Sequence, residues 1–292
     1  MDIYADQKEV TSYDFPAQHW DFRFPPGHVK VTEFWHANKF ISPADTSLYL
    51  IGGYGYLRYK NLVQRYDFGT RKWEIVKPAG DYFAPRYLSA LGTDPEGKFA
   101  YILGGYGSQT GDQMLDPRYY YELFRYDISR NSFKKLYNFK QPQGTAFTFA
   151  NSLVIDPAEK NYYALVFPDD KFNTSLQLIQ GSLLEPKYTP LANTIPYSFH
   201  DIKSFADLYY CKDSKKLVAV TLYTSKDDVT EVKVYTLEFP PDAVTEDTSG
   251  LSGFSVWYYL LLIPAAVMGA FLLPQRHRRP KKPAPATATA QP

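Results

Sequence analysis

Apolar positions along this chain come in short runs of about five or six, each closed by a polar turn. Such runs recur at 47–51, 99–103, 162–167 and 216–221. They read as the second strand of each sheet. A second set precedes them at 33–40, 87–92, 149–155 and 203–211, with polar turns between such as Asp94-Pro95-Glu96-Gly97. A third set, at 62–67, 123–127, 176–179 and 232–237, alternates apolar with polar residues, as a half-open sheet face requires. A fourth strand follows at 72–76, 132–137 and 187–191, and none follows 237, where Pro240 and Pro241 end the pattern. The chain therefore reads as consecutive copies of a small antiparallel sheet.

The copies keep register in sequence. Gly52, Gly53, Tyr54 and Gly55 return 52 positions later as Gly104, Gly105, Tyr106 and Gly107. Tyr66-Asp67 is followed seven residues on by Trp73, and Tyr126-Asp127 by Phe133. Tyr13-Asp14 and Trp20 repeat the step, predicting a third strand over 10–15 and a fourth over 19–24 of a unit that lacks its beginning. A repeat period near fifty points to radial repetition of four-stranded sheets. Starting in mid-repeat leaves two explanations, ring closure onto the last unit or further units and a signal sequence upstream; the second is expected, because the last unit has three strands of its own.

These residues resemble the Kelch repeat: the two glycine pairs, Tyr66, Tyr126, Trp73, and the run from Pro85 and Arg86 to Ser89 and Ala90. The resemblance implies an all-β fold, a β-propeller of Kelch-like four-stranded blades, four to five of them visible and related to galactose-oxidase-like propellers. The expected divisions are a partial blade over 1–27 and blades over 28–80, 81–140, 141–193 and 194–241. The last two lack the glycine pair, with Phe167-Pro168 and Thr221-Leu222 in its place.

Beyond a polar linker, 242–253, lie twenty residues without a charge, 254–273. As a helix they would extend about 30 Å, the thickness of a bilayer's hydrocarbon core. Trp257, Tyr258 and Tyr259 suit an interfacial aromatic belt, and Pro264 and Gly269 are tolerated in membrane helices. Five positive charges follow between Arg276 and Lys282, whereas Asp242, Glu246 and Asp247 precede the span. The positive-inside rule then predicts a single-pass protein with a cytoplasmic, disordered Pro/Ala/Thr-rich tail over 274–292 and an extracytoplasmic propeller.

Composition narrows the chemistry. The 292 residues are 45% hydrophobic and 17% aromatic with a net charge of +1, which argues against a globally basic nucleic-acid binder. The single cysteine, Cys211, excludes an internal disulfide and multi-cysteine metal sites, and in a strand it reads as a small buried apolar residue. Some Kelch-like propellers are copper-radical oxidases needing two tyrosines, two histidines and a cysteine; here His19, His28, His36 and His200 show no ligand spacing. No catalytic residue, metal site or cofactor is predicted.

Binding is the expected activity. In up-and-down sheets the loops between strands two and three share a face with the connections between blades, and these are the long ones: 54–61, 106–121, 78–86, 138–146 and 193–200. They carry Tyr54, Tyr56, Arg58, Tyr82, Arg86, Tyr106, Arg118, Tyr119 and His200, aromatic platforms and forked donors suited to a carbohydrate, a peptide or a protein. The sequence thus predicts a membrane-anchored recognition module. The alternatives are a propeller-type oxidase or glycan-processing enzyme and a tail-anchored cytosolic scaffold.

Overall fold

The computed structural model describes residues 10, 12–21, 33–140, 145–156, 158 and 160–241. The chain divides into two units, Met1–Val244 and Thr245–Pro292, and every described residue belongs to the first. The predicted linker, membrane span and tail lie outside the described residues, as does His28. Among the described residues no helix is long and apolar enough to cross a membrane.

In chain order the strands are β1 (Ser12–Asp14), β2 (His19–Asp21), β3 (Asn38–Ser42), β4 (Ser47–Ile51), β5 (Tyr54–Gly55), β6 (Arg58–Tyr59), β7 (Val63–Asp67), β8 (Lys72–Val76) and β9 (Ala79–Gly80). Then come β10 (Arg86–Tyr87), β11 (Ala90–Thr93), β12 (Phe99–Gly107), β13 (Arg118–Asp127), β14 (Ser132–Asn138), β15 (Thr148–Ile155), β16 (Asn161–Phe167), β17 (Asn173–Ser182) and β18 (Tyr188–Ser198). A 3₁₀ turn at Asp201–Lys203 leads into β19 (Ser204–Cys211), β20 (Lys216–Thr224) and β21 (Thr230–Glu238).

They form four antiparallel meanders: β3-β4-β7-β8, β11-β12-β13-β14, β15-β16-β17-β18 and the three-stranded β19-β20-β21. Within each meander strand order follows chain order, and β9 adds to the outer edge of β14 in parallel. The first strands sit together: β11 touches β15 in parallel at Leu91 and Ser152, and β15 neighbours β19. Their exposed inner edges are stitched by side chains, because unpaired backbone groups at the centre need partners. Asn38 Nδ2 donates to the Ser89 carbonyl at 2.6 Å and to the Asn151 carbonyl at 3.0 Å. Thr148 Oγ1 donates to the Leu88 carbonyl, and Ser152 Oγ accepts from the Leu208 amide at 2.6 Å. A cavity of about 580 Å³, lined in part by Lys39, Leu91, Leu153 and Leu208, opens among all four first strands.

The doubly apolar second strands are explained by their two faces. Leu165 and Phe167 join the core with the fourth sheet, while Ala164 and Val166 face the second. Tyr49 and Ile51 likewise face the second sheet, while Leu48 and Leu50 pack with Val10, Tyr66 and Trp73 on the other side of β4. Every sheet in the middle of the series is thus a core layer for both neighbours.

The Tyr-Asp signature has a local cause. Tyr66 opposes Trp73, Tyr126 opposes Phe133 and Tyr13 opposes Trp20 as direct cross-strand pairs. The following aspartates accept turn amides at Oδ1: Asp14 from Ala17, Asp67 from Thr70 and Asp127 from Arg130, at 3.0, 2.8 and 3.0 Å. The residue four beyond each aspartate, Gln18, Arg71 or Asn131, is left-handed. The aspartate, by closing the turn, lets a non-glycine residue hold that conformation. The Thr70 amide is also the main reason the Asp67 carboxyl lies below the usual range.

The glycine pairs mark close approaches. Gly52 has a φ of +73°, and a Cβ there would lie 2.9 Å from the Arg86 carbonyl oxygen. Gly104 has a φ of +63°, where the β12–β13 register shifts between Leu103 and Gly105, and a Cβ would meet the Phe149 ring. Both positions need glycine for conformation and for space.

Three expectations are corrected. The span 193–200 is not a loop: β18 continues to Ser198, pairing with β17 down to Asn173, where Thr194 and Ile195 alternate outward and inward. Residues 33–37 precede the first strand, and Trp35 instead bridges Tyr54 by two backbone hydrogen bonds. Cys211 is partly exposed rather than buried, because β19 ends there at a turn; hydrogen bonds from Ser214 pull its thiol down.

Candidate functional site

The glycine pair does more than permit close approach, since the strand resumes after it and delivers a tyrosine. Tyr54 then opposes Tyr59 across β5–β6, and Tyr106 opposes both Tyr87, across β10–β12, and Tyr119, across β12–β13. Two repeat copies set side by side therefore bring five tyrosines to one face.

Their rings converge. Tyr54, Tyr59 and Tyr87 form a triangle with centroid separations of 5.5, 5.2 and 5.6 Å. Tyr106 closes on Tyr59 at 5.9 Å and Tyr87 at 6.3 Å, and Tyr119 on Tyr106 at 4.9 Å. His36 extends the cluster, edge-on to Tyr87 and stacked 4.4 Å from Phe205, which in turn meets Trp35. Such tilted geometries match the ring quadrupoles. Tyr59 is buried as a floor, and Tyr54, Tyr87, Tyr106 and Tyr119 are half-buried.

Two carboxylates stand among the hydroxyls. Asp169, between β16 and β17, accepts from Tyr119 Oη at 2.7 Å. Asp201 opens the 3₁₀ turn with a φ of +37°, a strained conformation for a residue with a side chain. Its Oδ1 is shielded from solvent and has no hydrogen-bond partner. Burial raises the pKa of Asp169, the Tyr119 hydrogen bond opposing it and Asp170 and Asp201 adding like charge. The Tyr59 and Tyr87 hydroxyls are pushed above the usual tyrosine range, first by burial and then, for Tyr87, by Asp201. They stay neutral donors.

His36 anchors this floor. Its ring nitrogens meet the Asn151 side chain and the Asp201 carbonyl, both at 3.1 Å, and burial lowers its pKa, so the neutral ring donates one hydrogen bond. It too is left-handed, with a φ of +53°.

The nine residues expected from sequence separate into three groups. Tyr54, Tyr106 and Tyr119 belong to the aromatic cluster. Tyr56 and Arg58 are exposed on the β5–β6 hairpin at its edge, Arg118 is an exposed residue ion-paired with Asp116, and His200 is exposed beside Phe172. Tyr82 is exposed elsewhere, its hydroxyl donating to the Gln109 carbonyl at 2.7 Å. Arg86 requires correction: it is 1% exposed, inside the second sheet. Its guanidinium pairs with Glu122 at 2.6 Å, donates to the Ala84 and Gly104 carbonyls, and lies over the Tyr120 and Phe83 rings. No ligand can reach it. Missed were Tyr59, Tyr87, Asp169, Asp201 and His36; the cross-strand partner of each repeated tyrosine was the available signal for the first two.

Among the described residues no group of three or more His, Cys, Asp or Glu side chains is placed to hold a metal ion.

Among known families, residues 44–80 match the Kelch motif. That match and the four meandering sheets support a Kelch-repeat, propeller-like fold. Kelch motifs generally mediate protein–protein interaction, and proteins built from them are mostly non-enzymatic binding modules. No curated protein matches the chain.

Proposed function

We propose that this chain is a membrane-tethered recognition module whose propeller-like body binds a protein partner through the tyrosine face. One observation carries the reading: the tyrosine cluster is flanked by an apolar knob. Tyr56 and Leu57 at the β5–β6 tip, and Met114 and Leu115 in the loop before β13, are 70, 63, 78 and 56% exposed. The Gln113 amide donates to the Leu57 carbonyl, and Tyr54 Oη donates to Gln113 Oε1, so knob and tyrosine cluster form one surface. Large apolar and aromatic side chains exposed together beside a polar rim are the composition of a protein interface. The uncharged stretch 254–273 supports the tether, and the basic run after it favours a cytoplasmic tail with the body on the other side.

The test places a photo-crosslinking amino acid at Leu57 in the full chain, expressed in its own host. Irradiation is expected to yield a discrete protein adduct in the membrane fraction that protease added to intact cells digests. The same probe at Ile75, on the outer strand β8, should give none. Equal adducts from both positions, or none from Leu57, would remove the binding reading; an adduct resistant to external protease would reverse the topology.

A further inference from the structure

The outer edges of the four sheets are not alike. Unpaired N–H and C=O groups along an edge invite pairing with another chain, and native sheets blunt such edges with short strands, proline or a covering segment. Three of the sheets show one of these devices. β8 is five residues long and is closely followed by Pro78. β9 covers β14 in parallel at Ala79 and Gly80. β18 carries Pro190 and Pro196. β21 has none: its nine residues contain no proline, pair with β20 without a bulge, and have no strand on their other side among the described residues.

The charges on β21 are also self-complementary. Glu231 and Lys233 share the face of Tyr235 and Leu237, are 59 and 53% exposed, and pair with each other along the strand at 3.0 Å. When two copies of one strand meet antiparallel about a two-fold axis, the residue on the axis fixes every cross-strand pair. With Lys233 on the axis lysine opposes lysine, and with Glu231 there glutamate opposes glutamate; both are destabilising. With Val234 there, Glu231 falls opposite Leu237 and Lys233 opposite Tyr235. Of these registers, the one centred on Val232 alone sets each Glu231 opposite the other copy's Lys233, twice by symmetry. It also brings the two exposed Val232 side chains together and sets Thr230 opposite Val234.

We propose that β21 pairs edge to edge with β21 of a second copy of this chain, antiparallel and with Val232 on the two-fold axis. The second copy's strand then stands where the first three sheets have a fourth strand of their own. Main-chain hydrogen bonds supply the attraction and the two charge pairs set the register. A contact of this extent is reversible, so the chain is monomeric when dilute and pairs as its concentration rises. The edge is distinct from the tyrosine cluster and does not depend on the partner read from it.

The test uses the full chain in neutral detergent, with Cys211→Ser to remove the natural thiol and Val232→Cys to place one on the axis. Directly opposed residues of an antiparallel pair lie within disulfide reach, so mild oxidation of a concentrated sample is expected to give a covalent dimer of doubled mass. Ile75→Cys on β8 should give none. Adding Glu231→Lys sets like charges opposite each other and should abolish the dimer, and adding Lys233→Glu to that variant should restore it. Should Glu231→Lys fail to fold, Lys233→Glu alone makes the same comparison. No linked dimer from Val232→Cys, or one that persists with Glu231→Lys, overturns the proposal, whether β21 is then free, covered by residues 242–253 or bound by a different protein.

Discussion

The second and fourth sheets contain the same meander but not the same energetics. In the second sheet β12 and β13 are buried on both sides: Ile102 and Phe124 face the first sheet, and Leu103 and Leu123 face the third. In the fourth, Leu217 and Ala219 of β20 face the third sheet, but the alternate residues Val218 and Val220 are only half-buried. Its last strand, β21, leaves Val232 and Val234 more than half exposed and pairs only with β20 among the described residues. A sheet of this kind is stabilised by its neighbours more than by its own ladder, because hydrogen bonding differs little between the two whereas apolar burial differs strongly.

Breaking that contrast starts at Arg86. Arg86→Ala leaves the buried Glu122 with Lys135 as its remaining partner, at 2.7 Å, and empties the space between Tyr120 and Phe83. The expected loss is about 3 kcal/mol by denaturant unfolding, with Arg86→Met/Glu122→Gln recovering much of it. Full stability in Arg86→Ala would mean that the second sheet does not depend on its buried pair. Next, Leu123→Ala removes a side chain with no solvent exposure from the core between the second and third sheets. A loss of about 2–4 kcal/mol is expected, read from the shift in unfolding midpoint. The smallest effect belongs to the fourth sheet: Val234→Ala, 64% exposed, should cost less than about 0.5 kcal/mol. A loss at Val234 approaching that at Leu123 would show that β21 is covered in the native protein, and the contrast would disappear.

Most of the repeat was legible because its signals are local. A seven-residue step between Tyr126 and Phe133 is the length of one tight turn with its flanking strand residues, so spacing alone sets the pair opposite each other. The span 193–198 reads as a connection because the fourth strand is expected to end at 191, whereas packing of Ile195 and Tyr197 against the core carries β18 through it. Arg86 was misjudged for a related reason. Its place beside Tyr87 in a long connection looks solvent-facing, and only the arrival of Glu122, from 36 positions later, turns its side chain inward.

The same division holds for the whole molecule. Periodic apolar runs, glycine pairs and Tyr-Asp turns specify each small sheet and its strand order, since their physics acts between residues close in the chain. Which sheet faces bury one another, and the meeting of Tyr54, Tyr87 and Tyr106 with Asp169 and Asp201, depend on contacts across more than a hundred residues. Side chains that far apart share no local spacing, so their grouping emerges only when the sheets have assembled around the first strands.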